Sequence, residues 1–513
     1  MKGWESFSKS LLSLELDPVF GNPGSTELPM LRGVDKYVLT LLDSLAVGMA
    51  DGYAQVTGKA AVVNLHTLPG VANSMAFIHT ARLNRTPIVI TAGQQDTRHA
   101  YMEPLLYHDL LSLVGDSVKF RYEIKHASEI QSVVRRAKAI AETPPMGPVF
   151  ISFPMDIMDQ ECPDTLPTPD RINTTPVDEA AVREISEIIN RSKNPCIVGG
   201  SEIDAFGAHS ALVAFVDKIG CPLYAEPLSS RSPCDSSSSQ YSGDLPPAST
   251  LINLKLLQND LVLFVGGEIT LYPYLPTPLL EGKEIVTVGM NPSRRIGKSY
   301  QMNPRMFLEA VLPLVEKKGK FLRSPPSPDR TRMLREKKRM SAFYVVGKAA
   351  TLFRDYVLFD ESISSTLTVR EAFGYRAGSY FTAKSGQLGW ALPAGTGAAM
   401  WKDKVLVIIG DGSLMYSIQT LWTAARYSIP VKILVLNNGS YNILRSYAKS
   451  FYPRVEDREF LKFDLPLKGV AEGFGIETRI AGAELEELKW LEEGRIPKVL
   501  IANVDREVPK LFL

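Results

Sequence analysis

The strongest constraint on this chain is a recurring alternation of short, largely apolar runs with longer segments of helical spacing. In the first 155 residues, Tyr37–Leu42, Ala61–Leu65 and Pro87–Ala92 have strand length and are rich in Val, Ile and Leu. Between them, Ser44–Gln55 and Val71–Leu83 place apolar residues three and four apart. A strand that is apolar at every position must be covered on both faces, and intervening helices supply that cover. The pattern predicts an α/β domain built on a parallel sheet.

The pattern then repeats. Strand candidates Cys196–Val198, Leu261–Val265 and Glu284–Val288 fall within Val177–Lys317, and Lys404–Ile409 and Val431–Leu436 within the last segment. The proline-rich stretch Glu161–Asp170 reads as a linker, as does the basic Lys317–Met340 with its Ser324-Pro-Pro-Ser-Pro328. The expected fold is therefore α/β, with three doubly wound parallel-sheet domains at residues 1–165, 177–317 and 341–513. A length of 513 residues suits about three such domains.

Composition removes several classes of function. Lys+Arg total 57 against 56 Asp+Glu, a net charge of +1, which argues against nucleic acid or an anionic membrane as the main partner. A hydrophobic content of 45% excludes a disordered chain. Cys162, Cys196, Cys221 and Cys234 show neither a disulfide framework nor paired metal-ligand spacing. The charged N-terminus lacks the apolar stretch of a signal peptide, and the apolar runs are far shorter than a membrane span. A soluble, cytoplasmic protein is expected.

Chemistry is most legible at residues 410–441. Gly410-Asp-Gly-Ser413 lies where a predicted strand turns into a helix, predicted to carry its apolar face on Leu414, Ile418, Leu421, Trp422 and Ala425. Ligands of open α/β sheets bind beyond the carboxyl ends of the strands, where glycine lets backbone approach a phosphate. Asp411 and Asn438, each just past an adjacent predicted strand, would present a carboxylate and an amide oxygen at one edge. Such oxygens, with diphosphate oxygens, suit Mg²⁺. Alone, each motif reads equally as a tight turn.

Gly410-Asp-Gly412 followed by Asn437-Asn438 resembles the cofactor motif of the thiamin-diphosphate-dependent 2-oxo acid decarboxylase and acetolactate synthase family. Phe20-Gly-Asn-Pro-Gly-Ser25, Ala50-Asp-Gly-Tyr-Ala-Gln55, Asn64-Leu-His66, Thr91-Ala-Gly-Gln-Gln95 and Leu421-Trp-Thr-Ala-Ala425 are similar to the benzoylformate decarboxylase branch. The resemblance implies a pyrimidine-binding N-terminal domain, a structural central domain and a C-terminal domain for the diphosphate and Mg²⁺. It further implies a homo-oligomer, a dimer of dimers, with active sites between subunits. Asp411, Asn438 and the backbone oxygen of Ser440 would hold the metal, and Ser364, Gly412, Ser413 and Tyr441 would border the diphosphate. Leu388 would bend the cofactor, and Gly386 would offer its carbonyl to the cofactor's amino group. The implied reaction is non-oxidative decarboxylation of a 2-oxo acid to an aldehyde and CO₂, a carbon–carbon lyase activity. The cofactor supplies the carbanion and the electron sink.

One position departs from the family. Leu41-Leu-Asp-Ser-Leu-Ala-Val-Gly48 aligns Asp43 with the family's essential glutamate, the carboxylate beside the pyrimidine nitrogen. Aspartate is shorter by one C–C bond, about 1.5 Å, and a misplacement near 1 Å costs on the order of 100-fold in rate. Three readings stay open: a working carboxylate, an impaired site, or an ordinary helix N-cap. His66 would stand over the cofactor and move protons, and Ser25 would hold the substrate carboxylate, by the same resemblance. Ile443 and Tyr447 would line the substrate pocket. The second active-site histidine has no counterpart, because Thr270-Leu-Tyr-Pro-Tyr-Leu275 stands there. The alternatives are an acetolactate-synthase-like carboligase and a cofactor-binding member with impaired catalysis.

Overall fold

The computed structural model describes residues 1–170, 177–319, 321 and 335–512; Ser324–Pro328 of the second expected linker lies outside them. Among the described residues, eighteen strands form three six-stranded sheets. The first holds β1 (Val19–Gly21), β2 (Tyr37–Leu39), β3 (Ala61–Leu65), β4 (Ile88–Gln94), β5 (Arg121–Glu123) and β6 (Val149–Pro154), ordered β2-β1-β3-β4-β6-β5. The second holds β7 (Pro195–Gly199), β8 (Leu223–Ala225), β9 (Tyr241–Asp244), β10 (Leu261–Val265), β11 (Glu284–Gly289) and β12 (Lys298–Gln301), ordered β12-β11-β10-β7-β8-β9. The third holds β13 (Val357–Glu361), β14 (Tyr380–Phe381), β15 (Val405–Gly410), β16 (Lys432–Asn437), β17 (Glu477–Ile480) and β18 (Lys498–Asn503), ordered β14-β13-β15-β16-β18-β17. The central ladders are parallel.

The first and third sheets share one strand order, 2-1-3-4-6-5 when each is counted from its own first strand. The second, counted likewise, reads 6-5-4-1-2-3, a doubly wound order whose direction reverses between β7 and β10. Their strands are apolar for the expected reason: β3, β7 and β10 are buried at every position. The chain divides into two compact units. One comprises Met1–Ile172, Met333–Val369 and Ala383–Leu513; the other comprises Asn173–Arg332 and Arg370–Thr382.

In the first unit, helices α1 (Asp43–Thr57) and α2 (Thr67–Asn84) follow β2 and β3, and α3 (Ala391–Ala399) precedes β15. Helices α1 and α3 pack with backbones almost touching. A Cβ on Gly52 would lie 1.8 Å from the Ala394 carbonyl oxygen, and one on Gly397 1.9 Å from that of Met49. The buried Asp51 ties the two together, accepting from Trp390 Nε1 at 2.7 Å, Gln55 at 2.8 Å and Asn84 at 3.2 Å.

Two local expectations need correction. The strand expected over Tyr37–Leu42 stops at Leu39, because the Thr40 hydroxyl donates to the Leu42 carbonyl at 2.9 Å and turns the chain. The helix expected after Gly410-Asp-Gly412 is two, α4 (Asp411–Met415) and α5 (Thr420–Arg426). Between them, Tyr416, Ser417 and Thr420 bond to residues three back, so the chain tightens out of the α-helical repeat.

Candidate active site

At the carboxyl edge of the first sheet, the loops after β1, β2 and β3 converge. Asp43 begins α1, and its carboxylate accepts from Asn22 Nδ2 at 3.1 Å and the His66 backbone N–H at 2.9 Å. The helix N-cap is Leu42, so Asp43 is not the cap. Its carboxylate lies against α2, where a Cβ on Gly70 would come within 2.3 Å of Oδ1. Burial pushes the Asp43 carboxyl above its ordinary range, against the opposing pull of the His66 N–H and Asn22.

His66 is held from below. Its Nδ1 lies 2.7 Å from Glu27 Oε2, and Gly24 packs flat against the ring. Glu27 is fully buried, and also accepts from the N–H groups of Gly24 at 2.9 Å, Thr67 at 3.2 Å and Gly93 at 2.8 Å. The Glu27 hydrogen bond raises the His66 pKa and leaves Nε2 as the ring's outward nitrogen. Ser25 is exposed in the same turn, next to Gly24. Thr67, directly after His66, has a φ of +32°.

The carboxyl edge of the third sheet gathers the other predicted residues. β15 and β16 are adjacent and parallel, with Gly410 opposite Leu436, so Asp411 and Asn438 emerge at one edge. Asp411 accepts from the N–H groups of Gly412 at 2.8 Å and Gly439 at 2.6 Å. Asn438 Oδ1 accepts from the Ser440 N–H at 3.0 Å, the hydrogen bond of a tight turn. The ring of Tyr441 stacks edge-on to Phe463, 4.8 Å between centroids, and covers Gly412. Ser413 and Ser440 are buried; Ser364 and Leu388 are half-buried and Gly386 is exposed. Ile363, beside Ser364, has a φ of +47°. Thr67 and Ile363 are the two β-branched residues at positive φ among the described residues, one at each edge. Such strain costs about 1–3 kcal/mol and concentrates at functional sites.

The structure brings Asp43, His66 and Ser25 together on the first sheet, and Asp411, Asn438, Ser440, Gly412, Ser413 and Tyr441 together on the third. Ile443 and Tyr447 lie on α6 (Asn442–Phe451). The Tyr447 ring packs on Phe451 at 4.7 Å and Phe512 at 5.2 Å, which is ordinary aromatic packing. A cavity of about 800 Å³ lies elsewhere, at the amino edge of the second sheet beside Pro195 and Pro222. That is the wrong end of the strands for a ligand of an open sheet.

The donor set fits a divalent cation bound to a diphosphate. Asp411 is buried, its carboxyl is pushed up by that burial, and the groups that meet it are backbone N–H dipoles. A hard cation would offset the cost of keeping the carboxylate charged, with Asn438 and the Ser440 carbonyl as neutral oxygen partners. No cluster of three His, Cys, Asp or Glu side chains suited to a metal occurs among the described residues. The predicted site contains only one such side chain, so that observation leaves it intact.

Two models of the thiamine pyrophosphate enzymes, the N-terminal and C-terminal TPP binding domains, match residues 1–113 and 364–495, and the central-domain model matches 182–312. The chain belongs to this family, the thiamin-diphosphate-dependent 2-oxo acid decarboxylases and acetolactate synthases. Within it, the chain is 33% identical to a benzoylformate decarboxylase of Pseudomonas aeruginosa, over 95% of this chain and 94% of that protein. An acetolactate synthase large subunit of Buchnera aphidicola is 23% identical over 97% of the chain and 94% of its own length. The crystal structure of benzoylformate decarboxylase from Polynucleobacter necessarius superposes with a TM-score of 0.93, at 28% identity over 99% of each chain.

Sequence reasoning missed three residues that the structure places at these edges. Glu27 lies two residues past Ser25, just beyond the Phe20–Ser25 motif. Asn22 sits within the same motif. Glu361, the last residue of β13, accepts from the N–H of Gly389 and from that of Ala391 at 2.7 Å. An acidic residue closing an apolar run, Val357-Leu-Phe-Asp-Glu361, was the available signal.

Proposed function

We propose that this chain catalyses the thiamin-diphosphate- and Mg²⁺-dependent decarboxylation of a 2-oxo acid of the benzoylformate type, releasing an aldehyde and CO₂. The observation that carries the reading is Asp43. Although one bond shorter than the family's glutamate, its carboxylate is buried, aligned by Asn22 and the His66 N–H, and raised in pKa by that burial. Those are the properties required of a carboxyl that hydrogen-bonds the pyrimidine nitrogen.

Bound thiamin diphosphate supplies the carbanion that adds to the ketone and the sink for the electrons left as CO₂ departs. The chain's residues do the rest. Asp411, Asn438 and the Ser440 carbonyl hold Mg²⁺, and Ser364, Gly412, Ser413 and Tyr441 border the diphosphate. Gly386 and Leu388 orient the cofactor's two rings, and Ser25 donates to the substrate carboxylate. His66, held by Glu27 through Nδ1, presents Nε2 to move the proton that the aldehyde carbon must gain. By family resemblance the complete site is built between two subunits of a homo-oligomer.

The test is aldehyde formation from a panel of 2-oxo acids including benzoylformate and pyruvate, with Mg²⁺, with and without thiamin diphosphate. Cofactor-dependent aldehyde with an aryl preference supports the reading. A hydroxyketone or acetohydroxy acid in its place would move the assignment to a carboligase, and cofactor binding without either product to an impaired member.

A further inference from the structure

The carboxyl of Glu361 joins three separate pieces of chain. It ends β13, it receives the consecutive backbone N–H groups of Gly389, Trp390 and Ala391, and it receives the Ser413 hydroxyl. Glu361 is 2% exposed, and the groups that meet it are N–H and O–H dipoles. Gly389 has a φ of +86°, and a Cβ there would lie 2.6 Å from Cβ of Tyr416. Segment 386–391 is thus pinned on one side by the carboxylate and on the other by the turn that follows α4. Gly386, by contrast, has a φ of +77° with no atom within 4 Å of its would-be Cβ. The segment is anchored at its C-terminal half and open at its N-terminal half.

We infer that Glu361 is a positioning residue for the cofactor cleft. It sets the distance between segment 386–388 and the Gly410–Ser413 turn before the cofactor arrives. This role rests on the function proposed above, because Gly386, Leu388 and Ser413 are the residues assigned there to the cofactor. Glu361 touches neither cofactor nor substrate in this assignment; it acts through those three. Burial also holds its carboxyl at a pKa of about 7, which fits a group met by dipoles rather than by a counter-charge.

The test compares Glu361→Gln and Glu361→Asp with Glu226→Gln, a fully buried glutamate of the second sheet that likewise accepts backbone N–H groups. Thiamin diphosphate affinity with Mg²⁺ is measured by calorimetry, the thermal midpoint of the cofactor-free protein by calorimetric scan, and kcat at saturating cofactor. In Glu361→Gln an amide NH₂ faces a backbone N–H, so a charge-assisted hydrogen bond is lost. Cofactor affinity is expected to fall about 10- to 100-fold, with kcat at saturation within about threefold. Glu361→Asp keeps the charge but falls one bond short, so its affinity lies between. Glu226→Gln lowers the thermal midpoint and leaves cofactor affinity unchanged. An unchanged affinity in Glu361→Gln, with or without a lowered midpoint, overturns the positioning role. If that variant fails to fold, Glu361→Asp decides by the same criterion. A wild-type protein that binds no thiamin diphosphate overturns the function proposed above and the positioning role with it.

Discussion

The second and third sheets meet the same problem at their carboxyl edges and solve it in opposite ways. Each carries buried acidic side chains whose oxygens collect backbone N–H groups. At the second, Glu226 receives Ser201 at 2.8 Å and Glu268 at 2.7 Å, and Glu202 receives Met290 at 2.7 Å and Asn291 at 3.2 Å. The glycines there exist to let protein meet protein: a Cβ on Gly267 would lie 2.8 Å from Glu226, and one on Gly289 2.6 Å from Glu202. At the third, Gly386 and Gly410 have nothing within 4 Å of a would-be Cβ. Both edges lie where an open sheet binds ligands, yet the second is filled by its own carboxylates, while the third stays open at Gly386 and Gly410. Strand order alone therefore does not locate a ligand; the partners of the edge groups do.

The largest effect that tests this contrast is expected at Asp411. Asp411→Ala should abolish Mg²⁺-dependent binding of thiamin diphosphate, a loss beyond about 100-fold in affinity, whereas Glu226→Ala should leave it intact. Equal losses in titrations of the two variants would erase the difference between the edges. Asp43 comes next, at the first sheet. Asp43→Ala should lower turnover by about 100-fold or more with cofactor affinity kept within a few-fold, measured as kcat at saturating cofactor. Asp43→Glu should also lose activity, about tenfold, because the present carboxylate already packs closely against Gly70, where a Cβ would lie 2.3 Å from Oδ1. A gain on restoring glutamate would identify the impaired site instead.

Much of this was legible in the sequence, for physical reasons. Parallel strands buried on both faces are mostly apolar, so Leu261–Val265 and, despite its buried Asn64, Ala61–Leu65 were readable to the residue. Asp411 and Asn438 were readable because each follows such a run, and adjacent parallel strands necessarily deliver them to one edge. Glu27 and Glu361 were not. Most of their partners are backbone N–H groups, up to 66 residues away for Glu27, which no side-chain pattern records. The break between α4 and α5 was hidden likewise, because Leu414 and Leu421 are both buried on either side of it and keep helical spacing.

A smaller effect separates the second edge from the first. Glu226→Gln should destabilise the protein by about 1–3 kcal/mol, the cost of leaving a buried donor unmatched, read as a lowered thermal midpoint with unchanged kcat. No such change would mean that this edge is not held by its carboxylates.

The smallest effect is a pH dependence at the first edge. The Glu27 hydrogen bond raises the His66 pKa above its ordinary 6.5 in the folded protein. Folding therefore favours the protonated ring. The stability that this pair contributes is fully present below pH 6.5 and is lost as pH rises through the higher folded value. In Glu27→Gln the folded and unfolded values converge, so the wild-type decline in thermal midpoint above pH 6.5 should flatten. Glu226→Gln should keep the wild-type slope, because the second edge holds no histidine against its carboxylates in the hydrogen bonds described. A Glu27→Gln profile parallel to wild type would mean that His66 is held by the packing of Gly24 rather than by charge.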